Sequence, residues 1–408
     1  MQKISVKRLA ADLKAFLSKI SIDCWAACLY FLCMPFTVVQ TPVGSLLKVI
    51  TMPVVAVLGV KIFLGKTKTL QANSVHFVYG AYIILCFAQL LLFRGEEAKV
   101  TTSDMVQAFL VLLLISMRVY NKEEQKMIEN IWIIVGIICT IVCITSTTTI
   151  NQYENRIQIY ILGYEEDVNQ YPMYFTMPLV VAIKRIIEKS KLLPLYAVLI
   201  VSILYSVLKL GSRGGLIGIV CGIFACILFG AKSLKSKIGI MAAVAVVAVV
   251  VVLVFFPLLP EDVQQRFTVQ SVVETGGTGR VDIWKFSLNY TFEKPERIMF
   301  GSGLLSTYSI FPSTAKVSNV VCHNQFIQTF FDQGIFGLAL YIATYAVCIG
   351  RNIRKNPYYA AAMVAIFGFS MSLTMYVLKP YINVLMMCAM CFESDNHVNA
   401  LRKDNEDA

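Results

Sequence analysis

Apolar residues in this chain gather in long runs, each closed by a short polar or charged stretch. Twelve runs can be delimited, at 24–40, 42–64, 72–93, 104–119, 131–150, 172–187, 192–208, 213–231, 237–259, 324–350, 359–377 and 380–393. The run KIGIMAAVAVVAVVVVLVFFPLL (237–259) carries no charge after Lys237 and is long enough to cross a bilayer as a helix. Hydrocarbon offers no partner to a bare N–H or C=O, so every spanning run must be helical. The fourth, sixth and twelfth runs are the shortest. The pattern predicts an all-α polytopic membrane protein of about twelve transmembrane helices.

Composition removes the soluble alternative. Of 408 residues, 57% are hydrophobic and 15% charged, more apolar surface than a soluble domain of this size can hide. The net charge of +11 would suggest nucleic acid as a partner of a soluble protein, but here its distribution carries the information. Lysines and arginines crowd alternate connections, among them Lys61, Arg118, Lys122, Lys184, Arg185, Lys235, Arg351 and Arg354. The other short connections hold few. By the positive-inside bias both termini are cytoplasmic and the long connection 260–323 faces outward. The expected organisation is an amphipathic N-terminal segment (1–22), nine spans (23–259), an outer catalytic loop (260–323), three spans (324–393) and a cytoplasmic tail (394–408). In the first segment Leu9, Leu13, Phe16, Leu17 and Ile20 share a face opposite Lys3, Lys7 and Lys14, which suits a membrane surface. The twelve cysteines fall mostly within apolar runs and read as buried hydrophobes, the CxxC of Cys388 and Cys391 included.

Candidate chemistry collects on the outer side. Arg213 stands among small residues in GSRGGLIGIV, at the start of a span, where it can mark topology, snorkel to the interface or belong to a site. Arg280 follows TGGTG and opens GRVDIWKFSLNYTF, whose apolar spacing suits an amphipathic helix. A glycine-rich turn at a helix N-terminus can bind an anion, and can equally be a flexible linker. His323 is the only histidine expected outside, since His76 and His397 fall on the inner side. It can act as a general base or be a polar helix-end residue. Zinc is disfavoured, because no second histidine or suitable Cys/His spacing lies on that side. Asp332 lies about 13.5 Å further along a helix and half a turn round, out of direct reach of His323. At that depth it should face the bundle interior and needs a partner.

Three segments in order, GSRGGLIGI, TGRVDIWKFSLNYTFEKPERIMFGSG and CHNQFIQTFFDQGIFGL, resemble the O-antigen ligase and polymerase superfamily of bacterial envelope proteins. The resemblance implies glycan transfer from undecaprenyl diphosphate to a hydroxyl, with no metal or other cofactor, at the outer face of the cytoplasmic membrane. It implies that Arg213 and Arg280 bind the diphosphate and that His323 activates or orients the acceptor. Asn324 and Arg297 join them as substrate-binding candidates, and Asp332 and Asp282 as supports. Relatives often carry Glu where this chain has Asp332. The implied acceptor is another lipid-linked repeat for a polymerase, favoured here, or lipid A–core for a ligase. A chain-length regulator is a further possible partner, and nucleic acid is not one. A lipid-linked oligosaccharide flippase is the alternative of another class, but its repeat symmetry and midplane helix breaks are not visible in the sequence.

Overall fold

The computed structural model describes residues 18–65, 70–93, 95–146, 150–151, 156–231, 233–268, 279–311 and 321–393. The amphipathic segment up to residue 17, most of the glycine-rich turn before Gly279, His397 and the tail from 394 lie outside the described residues.

Helices follow one another as α1 (Ile22–Leu32), α2 (Leu46–Phe63), α3 (Ser74–Phe93), α4 (Glu96–Ser116), α5 (Lys122–Thr145), α6 (Thr176–Ile187), α7 (Leu193–Lys209), α8 (Arg213–Gly230) and α9 (Leu234–Val250). The long connection contributes α10 (Glu261–Gln265), α11 (Arg280–Phe292), α12 (Pro295–Phe300) and α13 (Thr307–Ile310). Then come α14 (Gln325–Asn352), α15 (Pro357–Ser370) and α16 (Lys379–Ala389). The protein is an all-α polytopic membrane protein, its strands confined among the described residues to four two-stranded pairings. Among the described residues, seven helices are long and apolar enough to cross a membrane; α1, α7 and α15 are shorter apolar helices.

Each of the twelve apolar runs holds a helix, but several bounds differ from expectation: α1 stops at Leu32, α5 starts at Lys122 and α15 stops at Ser370. Helix α4 begins at Glu96 rather than near 104, because Glu96 and Glu97 suit the positive end of a helix dipole. Helix α14 is not continuous. Gly334 has φ 64° and ψ −160°, so the chain breaks helical geometry one-third of the way along.

Glycine sets the tightest packing. Gly214, Gly218 and Gly222 recur every four residues and so lie on one face of α8. That face meets α15 in antiparallel order: Gly214 against Ser372, Gly218 against Phe369, Gly222 against Ala365. Small residues at such a stripe let helix backbones approach closely in a membrane. Gly215, on another face, is filled by Pro172.

Buried charges at one end of the bundle are paired. Asp23 meets Lys61 at 2.6 Å and Arg118 at 3.0 Å, and Arg118 also reaches Glu124 at 2.7 Å. Glu129 takes Lys184 at 2.7 Å, Arg185 at 2.9 Å and the Tyr359 hydroxyl at 2.9 Å. These basic residues are the ones assigned to the inner side above. The start of α8, the end of α3 and the start of α14 lie at the opposite end.

A Cβ at Gly218 would stand 2.5 Å from the ring of the fully buried Phe369, whereas one at Gly239 meets nothing within 4 Å. Gly218→Val should destabilise the protein by about 1–3 kcal/mol through overpacking. Gly239→Val should leave the melting temperature in detergent near that of the parent. Equal melting of the two variants would contradict the helix contact described.

Candidate active site at one end of the bundle

Helix α7 ends at Lys209 with Leu210 as its cap, and Gly211, at φ +62°, turns the chain directly into α8. The Ser212 hydroxyl accepts the Gly215 N–H at 3.1 Å and caps the new helix. Arg213 is therefore the first residue of α8, held at the bundle end by the cap below it and the glycine stripe behind it. Its Nη1 is buried and has no hydrogen-bond partner among the described residues. A guanidinium N–H left so is costly unless something polar arrives. Above the same turn, Arg266 from the long connection donates from Nε to the Gly211 carbonyl at 3.3 Å. Arg266 was missed by sequence reasoning, since nothing in RFTVQ distinguishes it from a surface arginine.

Arg280 opens α11, preceded by Gly279 at φ +78°. One turn on, Trp284 donates from Nε1 to the Cys322 carbonyl at 2.8 Å. The Ser287 hydroxyl lies 3.3 Å from the Cys322 sulfur. The first turns of α11 thus lie alongside Cys322, the residue before His323. Cys322 is buried, which pushes its thiol up to about 12, aided by the nearby Asp332. It stays protonated and is no nucleophile.

His323 has φ +48°, a region that few residues with side chains enter. Both neighbours are pinned. Cys322 donates its N–H to Gln328 Oε1 at 2.7 Å. Asn324 caps α14, its Oδ1 accepting the N–H groups of Phe326 and Ile327 at 3.0 and 3.2 Å. Its Nδ2 donates to the Met371 carbonyl at 3.3 Å. Asn324, a substrate-binding candidate by sequence, thus has both ends of its amide engaged in holding the turn at His323. Ser372, the next residue after Met371, packs on Gly214 beside Arg213. Gly214 and Asn324, the neighbours of Arg213 and His323, thus meet adjacent residues of one turn, Ser372 and Met371, while Arg280 lies about one helical turn, roughly 6 Å, from the Trp284 that touches Cys322.

Asp332 supports this arrangement from within. Its Oδ2 accepts from Gln328 Nε2 at 3.0 Å, the Tyr376 hydroxyl at 2.9 Å and the Leu305 N–H at 2.9 Å. Oδ1 has no partner among the described residues. Gln328 therefore bridges Asp332 to Cys322. The break at Gly334 lets the long connection lie against α14: Gly303 donates to the Asp332 carbonyl at 2.8 Å and Ser302 to the Phe331 carbonyl at 2.9 Å. A Cβ on Gly301 would collide with the Asp332 carbonyl, and one on Gly334 with the Met299 carbonyl.

The two remaining candidates, on the same connection, add no hydrogen bond to this arrangement among the described residues. Arg297 bonds Glu293 at 2.9 Å and the Tyr290 carbonyl at 2.8 Å, and its guanidinium sits 3.6 Å over the Tyr290 ring. It staples α12 to α11 and lines an open groove of about 420 Å³ with Phe93, Phe300 and Ile310. Asp282 is exposed in the first turn of α11, where it complements the helix dipole. Among the described residues no group of three His, Cys, Asp or Glu side chains could hold a metal ion.

Gln328→Leu would leave the Cys322 N–H unpaired and take one donor from Asp332. A loss of about 1–3 kcal/mol is expected from such an orphaned buried group. Amide exchange should quicken at 321–324 and not at the paired-charge end. Unchanged exchange there would remove Gln328 from the support of His323.

The O-antigen ligase family model matches residues 197–342, from the second turn of α7 into α14. The match contains all the candidate residues, as well as Arg266 and Gln328. No curated protein matches the chain at a significant level.

Proposed function

We propose that this chain, a membrane enzyme of the O-antigen ligase and polymerase superfamily with its ligase domain at residues 197–342, polymerises lipid-linked polysaccharide repeats. The superfamily implies a lipid-linked glycan and an acceptor as substrates. The donor in our reading is a glycan on undecaprenyl diphosphate. The acceptor is the sugar hydroxyl of a second lipid-linked repeat. The reaction takes place at the outer face of the bacterial cytoplasmic membrane, with both termini cytoplasmic.

The observation that supports this most is the buried, partnerless Nη1 of Arg213 at the end of the bundle that also carries Arg266, Arg280 and His323. Charge that develops on a departing diphosphate needs fixed donors already in place. A guanidinium serves because it stays ionised and grips phosphate oxygens with two parallel N–H groups. In the reaction the anomeric C–O bond to the diphosphate breaks, and its electron pair leaves with the diphosphate toward Arg213 and Arg280. The acceptor oxygen forms the new C–O bond from the opposite face, and its proton passes to the imidazole of His323. The phosphoester linkage carries the driving force, so the step needs no nucleotide. Asn324 and the Asp332–Gln328 pair act by fixing the peptides on either side of His323.

Arg213→Ala and Arg280→Ala should each lower polymer formation on the order of 100-fold or more, the loss seen when one transition-state donor is removed. Arg297→Ala should leave most activity, because that side chain is engaged by Glu293 and Tyr290. Long-chain glycan at normal level on a gel, with Arg280→Ala expressed like the parent, would sink the assignment. A deletion strain separates the reaction types. Lipid capped with a single repeat indicates the polymerase, long chains held on undecaprenyl diphosphate indicate a ligase, and precursor trapped inside indicates a flippase.

A further inference from the structure

Three charged residues stand at the same end of the bundle, outside the arginine site. Lys48 is in the first turn of α2, Asp104 lies within α4, and Lys379 is the first residue of α16. Both α2 and α16 pack against α4. Lys48 Nζ is 3.6 Å from Asp104 Oδ1. Burial disfavours the ammonium form of Lys379; the attraction of Asp104 opposes this and the repulsion of Lys48 adds to it. Lys379 itself makes no hydrogen bond and no close ion pair among the described residues.

The electrostatics of this triad do not balance. Two ammonium groups face one carboxylate. Lys379 also stands at the positive end of α16, which has no side-chain cap, so the helix dipole adds to the surplus. A lysine belongs at the other end of a helix by the same rule. Asp104 sits inside a helix apolar enough to span the membrane, so the cluster is not simply a solvated surface. Surplus positive charge at a membrane interface calls for an anion that membrane itself can deliver. Lys48, more than half exposed, can reach one.

Position gives the cluster its meaning. Lys379 follows the connection 371–378, which touches Gly214 and Asn324 at its start and Asp332 through Tyr376. The lysines and the arginine site therefore share a wall. An enzyme that joins two lipid-linked repeats must hold two lipid phosphates at once. We propose that Lys48 and Lys379 form a second lipid-phosphate site, which takes the diphosphate of the lipid-linked acceptor while Arg213 and Arg280 take that of the donor. The existence of the site stands on the charges alone; its acceptor role rests on the polymerase reading.

The test uses the full chain in nanodiscs of phosphatidylcholine, titrated with labelled undecaprenyl diphosphate and, separately, with phosphatidylglycerol. The parent should bind two equivalents of undecaprenyl diphosphate. Lys48→Gln with Lys379→Gln should weaken one of them by about tenfold or more, given the worth of each lysine near a lipid phosphate, and leave the other. The Arg213→Ala and Arg280→Ala pair should do the converse. Asp104→Asn should tighten the lysine site several-fold, since it removes the competing carboxylate, an effect opposite in sign to damage of the fold. Two-site binding unchanged in the lysine variant, or weakened binding in Asp104→Asn, overturns the site. Equal affinity for phosphatidylglycerol overturns the acceptor role and makes the site one for bulk anionic lipid. Because binding is read without turnover, a ligase phenotype in cells would overturn the polymerase reading while the lysine site stood.

Discussion

One buried carboxylate holds the functional end of this protein together. Asp332 is inaccessible to solvent, and its Oδ2 gathers donors from three separate places: Leu305 in the long connection, Gln328 in α14 and Tyr376 between α15 and α16. A charge at that depth persists only when its surroundings are arranged for it. The arrangement needs the backbone break at Gly334, since an unbroken helix would offer the Asp332 carbonyl to its own chain rather than to Gly303. The connection that carries Arg280 is thereby moored to the helix that follows His323.

From that mooring the site is assembled by polar side chains that do no chemistry themselves. Gln328 spans Asp332 and Cys322, Trp284 holds the other side of Cys322, and Asn324 closes the far side of His323. Placing the histidine at φ +48° is unfavourable for a residue with a Cβ, so it requires anchors on both sides. Strain of this kind is kept where a side chain must point one way, as the role proposed for His323 requires.

The two ends of the bundle treat charge in opposite ways. At one, Asp23, Glu124 and Glu129 are matched by Lys61, Arg118, Lys184 and Arg185 within ion-pair distance. At the other, Arg213 keeps a buried N–H without a partner among the described residues, and Lys48 and Lys379 outnumber Asp104. Pairing at the first end offsets the cost of burying those charges. Surplus positive charge gains nothing for the isolated protein, and the phosphate sites proposed above rest on that imbalance.

The sequence by itself determined the membrane class, the helical character of all twelve apolar runs and the long connection, and it singled out Arg213, Arg280 and His323 as candidates. These are local properties: run length against bilayer thickness, and residue type beside a helix start. The motif order also carried the superfamily, which the match over 197–342 bears out. Tertiary structure decided the rest. It split α14 at Gly334, which looks like ordinary helix-packing glycine in FFDQGIFGL until Met299 and Gly301 are seen against it. It turned Asn324 into a cap, gave Arg297 to Glu293 and Tyr290, and brought Arg266 and Gln328 into the site. Such roles depend on which distant backbone group stands within about 3 Å, and no spacing along the chain encodes that distance.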